Sequence, residues 1–161
     1  MDCDEQHEPA SIPQFMEQIA LDDADIISGS RYKEVHPEND MPPKERQGIN
    51  RQVTRELHDA LGIEITDAFC GFKAYRVETL GAFDFDVNGY AFPIQFWVQA
   101  AARKLRICEI AVRMIYNDPN RTFGGQLDDP VKRLDHYRAV LCNELRKNET
   151  LLPAALDRIP C

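Results

Sequence analysis

Apolar residues recur along the chain in two periods, and the periods alternate. Ile12, Phe15, Met16, Ile19 and Ala20 fall at helical spacing behind Ser11, which stands where an N-cap would, so residues 11–21 read as a short amphipathic helix. Residues 24–30, ADIISGS, form a brief apolar run closed by small residues and read as a buried strand. Ile49, Val53, Leu57, Ala60 and Leu61 form the stripe of a second helix, with Gly62 as its stop signal. Residues 70–76, CGFKAYR, read as a strand. Pro93 opens a strongly amphipathic helix with Ile94, Trp97, Val98, Ala101, Ala102 and Leu105 on one side. Residues 106–115, RICEIAVRMI, read as another strand, and Val131, Leu134, Tyr137, Leu141 and Leu145 mark a last helix. Two polar, proline-bearing stretches interrupt the series, 32–44 and 116–130. The order helix, strand, loop, helix, strand, helix, strand, helix predicts a layered α/β domain.

Composition narrows the function. The 161 residues are 43% hydrophobic, enough for a folded core. A formal charge of −8 argues against a general nucleic-acid binder, which needs a basic face, and leaves room for a local basic pocket. No apolar run is long enough to span a membrane, and the acidic N-terminus does not read as a signal peptide. The five cysteines are scattered without C-x-x-C spacing, which reads as reduced cytosolic thiols, neither a disulfide framework nor a zinc site.

The chain begins MDCDEQHEP, with Asp2, Asp4, Glu5 and Glu8 in close succession. Such a run is either a solvated tail or a metal site. Carboxylates two residues apart share a side of an extended backbone, and magnesium or manganese takes oxygen ligands of this kind while keeping room for substrate phosphates. After it come, in order, DIISGSRY, INRQVTRELHDALGIEITDAFCGFKAYR, NGYAF and ICEIAVRMIYNDPNRTFGG. The ordered series resembles the family 2 glycosyltransferases of the polyprenyl-phosphate (dolichol-phosphate) mannosyl- or glucosyltransferase type, over roughly residues 1–125.

That resemblance implies the C-terminal portion of a GT-A, Rossmann-like α/β domain (residues 1–125), followed by a helical tail (126–161). It implies an inverting, metal-dependent transfer of a hexose from a nucleoside-diphosphate sugar to a polyprenyl phosphate or related acceptor. Asp2, Asp4 and Gln6 would hold Mg2+ or Mn2+. Arg31, Arg51 and Arg121 would hold donor or acceptor phosphates, since a guanidinium fork can bind two oxygens. Asp67 would be the catalytic carboxylate: a base for a hydroxyl acceptor, or a positioning group where a phosphate acceptor needs none. The setting expected is cytoplasmic, at the inner membrane surface, with no nucleic-acid partner.

Three departures accompany the likeness. Gln95 stands where these enzymes usually carry glutamate, Cys70 replaces a serine, and the strands that bind the nucleoside base are expected ahead of the Asp-x-Asp. A truncated, non-catalytic binding fragment is therefore the alternative expectation. A nucleotidyltransferase is a further rival, but it needs a glycine-rich phosphate loop not seen here.

Overall fold

A computed structural model gives the fold, and describes residues 5–34, 39–40, 42–116, 118 and 122–161. The elements are α1 (Ile12–Ala20), β1 (Ile26–Ser30), α2 (Lys44–Leu61), β2 (Lys73–Tyr75), the single turn α3 (Val77–Leu80), α4 (Phe92–Ala102), β3 (Ile107–Ala111) and α5 (Pro130–Lys147). The expected alternation is present. The sheet order is β2-β1-β3, with β1 antiparallel to β2 and parallel to β3.

The central strand β1 is buried along its whole length because it is covered on both faces. Successive side chains point to opposite faces, so Ile26 joins the larger core beneath α2, α4 and α5, while Ile27 joins a smaller one with Phe15, Cys70, Phe72 and Val112. Gly29 is fixed by close approach. A Cβ there would lie 3.1 Å from the Phe72 carbonyl oxygen and from both Val112 methyls, and the same carbonyl accepts from Gly29 N at 2.7 Å. That carbonyl is tethered and cannot withdraw, so Gly29→Ala is expected to lower stability by about 1–3 kcal/mol, measured by urea unfolding.

Several sequence expectations are corrected. Ser11 makes no capping bond; a 3-10 turn, Pro9–Ser11, precedes α1 instead. Only Phe15 of α1 is buried, stacked on Phe72 at 4.4 Å, while Ile12, Met16 and Ile19 stay exposed. Helix α4 is not one-sided. Gln95 and Gln99, one turn apart on its supposed polar side, are buried because they grip the backbone at residues 84–87. Gln95 Oε1 accepts from Asp86 N and Val87 N, and Gln99 bonds both the N–H and the carbonyl of Asp84. On α5 the buried face runs through Arg133, Tyr137, Leu141 and Leu145, while Val131 is exposed. The segment from 126 onward is integral to the larger core, to which Tyr137, Leu141, Leu145 and Ala155 belong.

The expectation of wholly reduced thiols is also corrected. Cys142 and Cys161 form a disulfide with Cα atoms 5.6 Å apart, because the turns after α5 fold back along the helix and bring the last residue beside it. Cys70 and Cys108 are free. Among the described residues no helix is long and apolar enough to cross a membrane.

Candidate active site

A cleft of about 390 Å³ opens beyond the carboxyl ends of the parallel strands β1 and β3. This is where open α/β sheets place their ligands. Arg31 and Tyr32 enter it directly after β1, Met114 and Tyr116 after β3, Cys70 and Gly71 from the approach to β2, and Lys73 from its first residue. α2 contributes Arg46, Ile49 and Asn50, and α5 contributes Arg133 and Tyr137.

The charge of this lining opposes that of the chain. Arg31, Arg46, Lys73 and Arg133 face the cleft, and no carboxylate does among the described lining residues. In a protein of formal charge −8 this gathers positive side chains at one cleft. Aromatic rings hold two of the cations in place. The Arg46 guanidinium lies 4.7 Å from the Phe123 ring centre and 5.5 Å from that of Tyr116, and Arg133 lies 4.1 Å above Phe123 while pairing with Glu45.

Arg31 is set by a buried network. Asp67 Oδ2 accepts from Arg31 Nε at 2.6 Å and from Arg31 N at 3.2 Å. Its Oδ1 accepts from Arg31 Nη2 at 2.9 Å, Asn50 Nδ2 at 2.7 Å and Phe69 N at 3.2 Å. This is a two-pronged guanidinium–carboxylate pair, the geometry with the least freedom. Asp67 is wholly buried. Burial alone would raise its pKa, but the Arg31 charge and the hydrogen bonds from Arg31 and Asn50 outweigh it and hold the carboxyl at about 2. Burial works against the Arg31 charge too, and Asp67 more than offsets it, so the guanidinium stays firmly cationic.

Beneath this pair lies a second carboxylate. Glu109 on β3 accepts from Thr66 N at 2.9 Å, Thr66 Oγ1 at 2.7 Å and Asp67 N at 3.2 Å. The Thr66 and Ser30 hydroxyls are 2.5 Å apart, and Ser30 Oγ accepts from Tyr32 N and Lys33 N. Strand end, turn and arginine are thereby fixed as one unit. Burial raises the Glu109 pKa against the hydrogen bonds from Thr66 and Asp67 that lower it. Burial likewise pushes the Cys70 thiol up to about 11, so it lines the cleft as a neutral group.

The expected site residues divide as follows. Asp2, Asp4 and Arg121 lie outside the described residues. Gln6 and Arg31 line the cleft. Asp67 lies beneath it with both oxygens engaged. Arg51 is exposed and off the cleft, whereas Arg46 is on it. Five residues along a helix turn roughly 140° around its axis, so the two arginines cannot share a face. Arg46 was legible: it stands three and four residues before Ile49 and Asn50, on the side that carries the apolar stripe. Arg133 was legible in the same way, four residues before Tyr137. Glu109 and Asn50 carry no sequence signal of their role. Arg51→Ala is expected to change affinity for inorganic pyrophosphate by less than about threefold by calorimetry, because an exposed charge outside the cleft is screened. Gln95 is not among the described lining residues: its amide is engaged with Asp86 and Val87.

Among the described residues no cluster of three or more histidine, cysteine or acidic side chains could hold a metal ion. Near the N-terminus the described lining of the cleft includes Gln6 and His7.

Against known proteins, the family model described as glycosyl transferase family 2 matches residues 1–82. An undecaprenyl-phosphate mannosyltransferase of Micrococcus luteus is 32% identical over 144 residues, which is 85% of this chain and 57% of that protein. A polyprenol monophosphomannose synthase of Mycolicibacterium smegmatis is 27% identical over 70% of this chain and 43% of its own length. A low-salt glycan biosynthesis hexosyltransferase, Agl6, of Haloferax volcanii is 27% identical over 67% of this chain and 26% of its own. The chain thus spans little more than half the length of the curated relatives it matches, and less in two of these three. No solved structure matches it with significance. The family match and the small mixed sheet accord with a partial Rossmann-like domain of GT-A type.

Proposed function

Starting from a chain that belongs to glycosyl transferase family 2, we propose that it is part of a hexosyltransferase whose donor is a nucleoside-diphosphate sugar and whose acceptor is a polyprenyl phosphate. One observation carries this reading: an acidic chain gathers Arg31, Arg46, Lys73 and Arg133 around an aromatic-walled cleft at the sheet's carboxyl edge. The two reactants bring a diphosphate and a phosphate to one place, and four cations meet that charge.

The acceptor class also accounts for Asp67. A phosphate monoester is ionised near neutral pH and attacks without losing a proton first, so the site needs no general base. A carboxylate with both oxygens occupied is of no use as a base, but it orients Arg31. Asp67 is accordingly a positioning residue, with Asn50 and Glu109 behind it. As the donor's sugar–oxygen bond breaks, negative charge grows on the departing diphosphate. Arg31 and its neighbours, fixed beforehand, stabilise that charge without reorganising. Attack opposite the departing group inverts the anomeric centre.

Mg2+ or Mn2+, held by Asp2 and Asp4 with Gln6, would neutralise part of the diphosphate charge. The support is the presence of Gln6 in the cleft two residues after Asp4 in the sequence. The reaction is placed at the cytoplasmic membrane surface, where a polyprenyl phosphate presents its head group. Calorimetry of the protein with a nucleoside-diphosphate sugar tests the reading: binding heat should depend on manganese and vanish in Asp4→Ala. Metal-independent heat refutes the ligand set. Absence of any heat favours the alternative, a non-catalytic glycosyltransferase-like binding domain.

A further inference from the structure

Arg133 lines the cleft, yet its side chain is engaged chiefly by the protein. It stands in the first turn of α5 and is 2% exposed. Its Nη1 donates to the Leu127 carbonyl oxygen at 2.8 Å, its Nη2 pairs with Glu45, and its guanidinium carbon lies 4.1 Å from the centre of the Phe123 ring. The charge adds to the field of the cleft, while both amino groups are held within the chain. Three pieces of chain thus meet at one side chain: the turn before α5, the end of the stretch that follows β3, and the first turn of α2.

All three contacts bear on Arg46. Glu45 is its neighbour in the sequence, so a tether on Glu45 fixes the turn of α2 from which Arg46 projects, where Arg46 N donates to the Pro43 carbonyl oxygen at 2.9 Å. Phe123 is the ring beside the Arg46 guanidinium, at 4.7 Å. Leu127 belongs to the turn that holds Phe123 itself: Asp128 Oδ1 accepts from Phe123 N at 2.7 Å and from Gly124 N at 3.1 Å, and Tyr90 meets the ring edge-on at 4.8 Å. A long side chain gives up rotamer freedom when it is fixed. An arginine held before the ligand arrives has already given it up, and captures an anion more tightly.

We propose that Arg133 is a positioning residue: by holding Glu45 and Phe123 it aims the Arg46 guanidinium at the bound phosphate. The inference rests on the reading of the cleft as the seat of the reactants' phosphates, and adds how one of its arginines is aimed. Charge alone predicts the opposite for Glu45. As an acid near a phosphate it would repel the ligand; as a tether for Arg46 it helps to bind it.

The test is pyrophosphate affinity by calorimetry for the unaltered chain, Glu45→Gln, Arg133→Lys, Phe123→Leu, Phe123→Tyr and Arg46→Ala, with the first two also made in the Arg46→Ala background. Glu45→Gln should bind at least about threefold more weakly although it removes a negative charge, and without Arg46 the same change should no longer weaken binding. Arg133→Lys keeps the charge but loses the planar fork, and should follow the same pattern. Phe123→Leu should also weaken binding, and Phe123→Tyr should restore most of it, because a ring face attracts the cation and leucine has none. The Glu45 side chain is 44% exposed and Phe123 is half-buried, so these variants should fold, and urea unfolding checks that they do. Tighter or unchanged binding in Glu45→Gln, or equal weakening by Arg133→Lys with and without Arg46, overturns the positioning role while the phosphate site stands. If Arg46→Ala binds pyrophosphate as the unaltered chain does, the reading of the cleft itself fails, and the positioning role with it.

Discussion

Asp67→Ala should unfold at a markedly lower urea concentration than the unaltered chain, with a loss of about 3–5 kcal/mol. The loss arises less from the missing attraction than from what remains. Arg31 would keep its charge in a largely enclosed position with no counter-ion, and the Asn50 amide and Phe69 N–H would lose their acceptor. Asp67→Asn tests that account. It preserves volume and one acceptor but turns a donor toward Arg31 or Asn50, so it should fall between the unaltered chain and alanine. The pH dependence has a definite sign. An unfolded aspartate titrates near 4, and Asp67 in the fold is held at about 2. The folded carboxyl thus binds fewer protons, and its contribution is fully present above about pH 4 and lost as pH falls through about 2. In Asp67→Asn that segment of the acid-stability curve should flatten. An unchanged slope would mean that another carboxylate carries it.

Arg46→Ala should have the largest effect on ligand binding with little effect on stability. The Arg46 side chain faces the cleft from the first turns of α2, held over Phe123 and Tyr116 and not buried in the core. A hydrogen bond to a charged group contributes about 1.5–3 kcal/mol, which corresponds to roughly 10- to 150-fold in affinity. Pyrophosphate affinity should therefore fall by one to two powers of ten, and the unfolding midpoint should stay within about 0.5 kcal/mol. Arg46→Lys should recover only part of the loss, because a point charge replaces a planar fork and the stacking on Phe123 weakens. The contrast with Arg51→Ala is the sharper test. Both substitutions remove one positive charge from the same helix, so net charge cannot explain a difference between them. Equal effects would mean that the site responds to overall charge, and the assignment of Arg46 would fall.

What the sequence determined by itself was local. Periodicity located α2 with its Gly62 terminus, which has φ 68° and returns its N–H to His58. It also located α4 behind Pro93, the strands and their order, because these depend on residues a few positions apart. The resemblance named Arg31 and Gln6 as site candidates, and both are lining residues of the cleft. Tertiary structure formed the cleft that Arg46 lines and Arg51 does not, since its walls come from segments far apart in the chain. It brought Asp67 together with Arg31 and Asn50, which reach it from 36 and 17 residues away. Glu109 and the Cys142–Cys161 bridge are of the same kind. Each depends on chain segments brought together by burial, and distance in sequence carries no trace of that meeting.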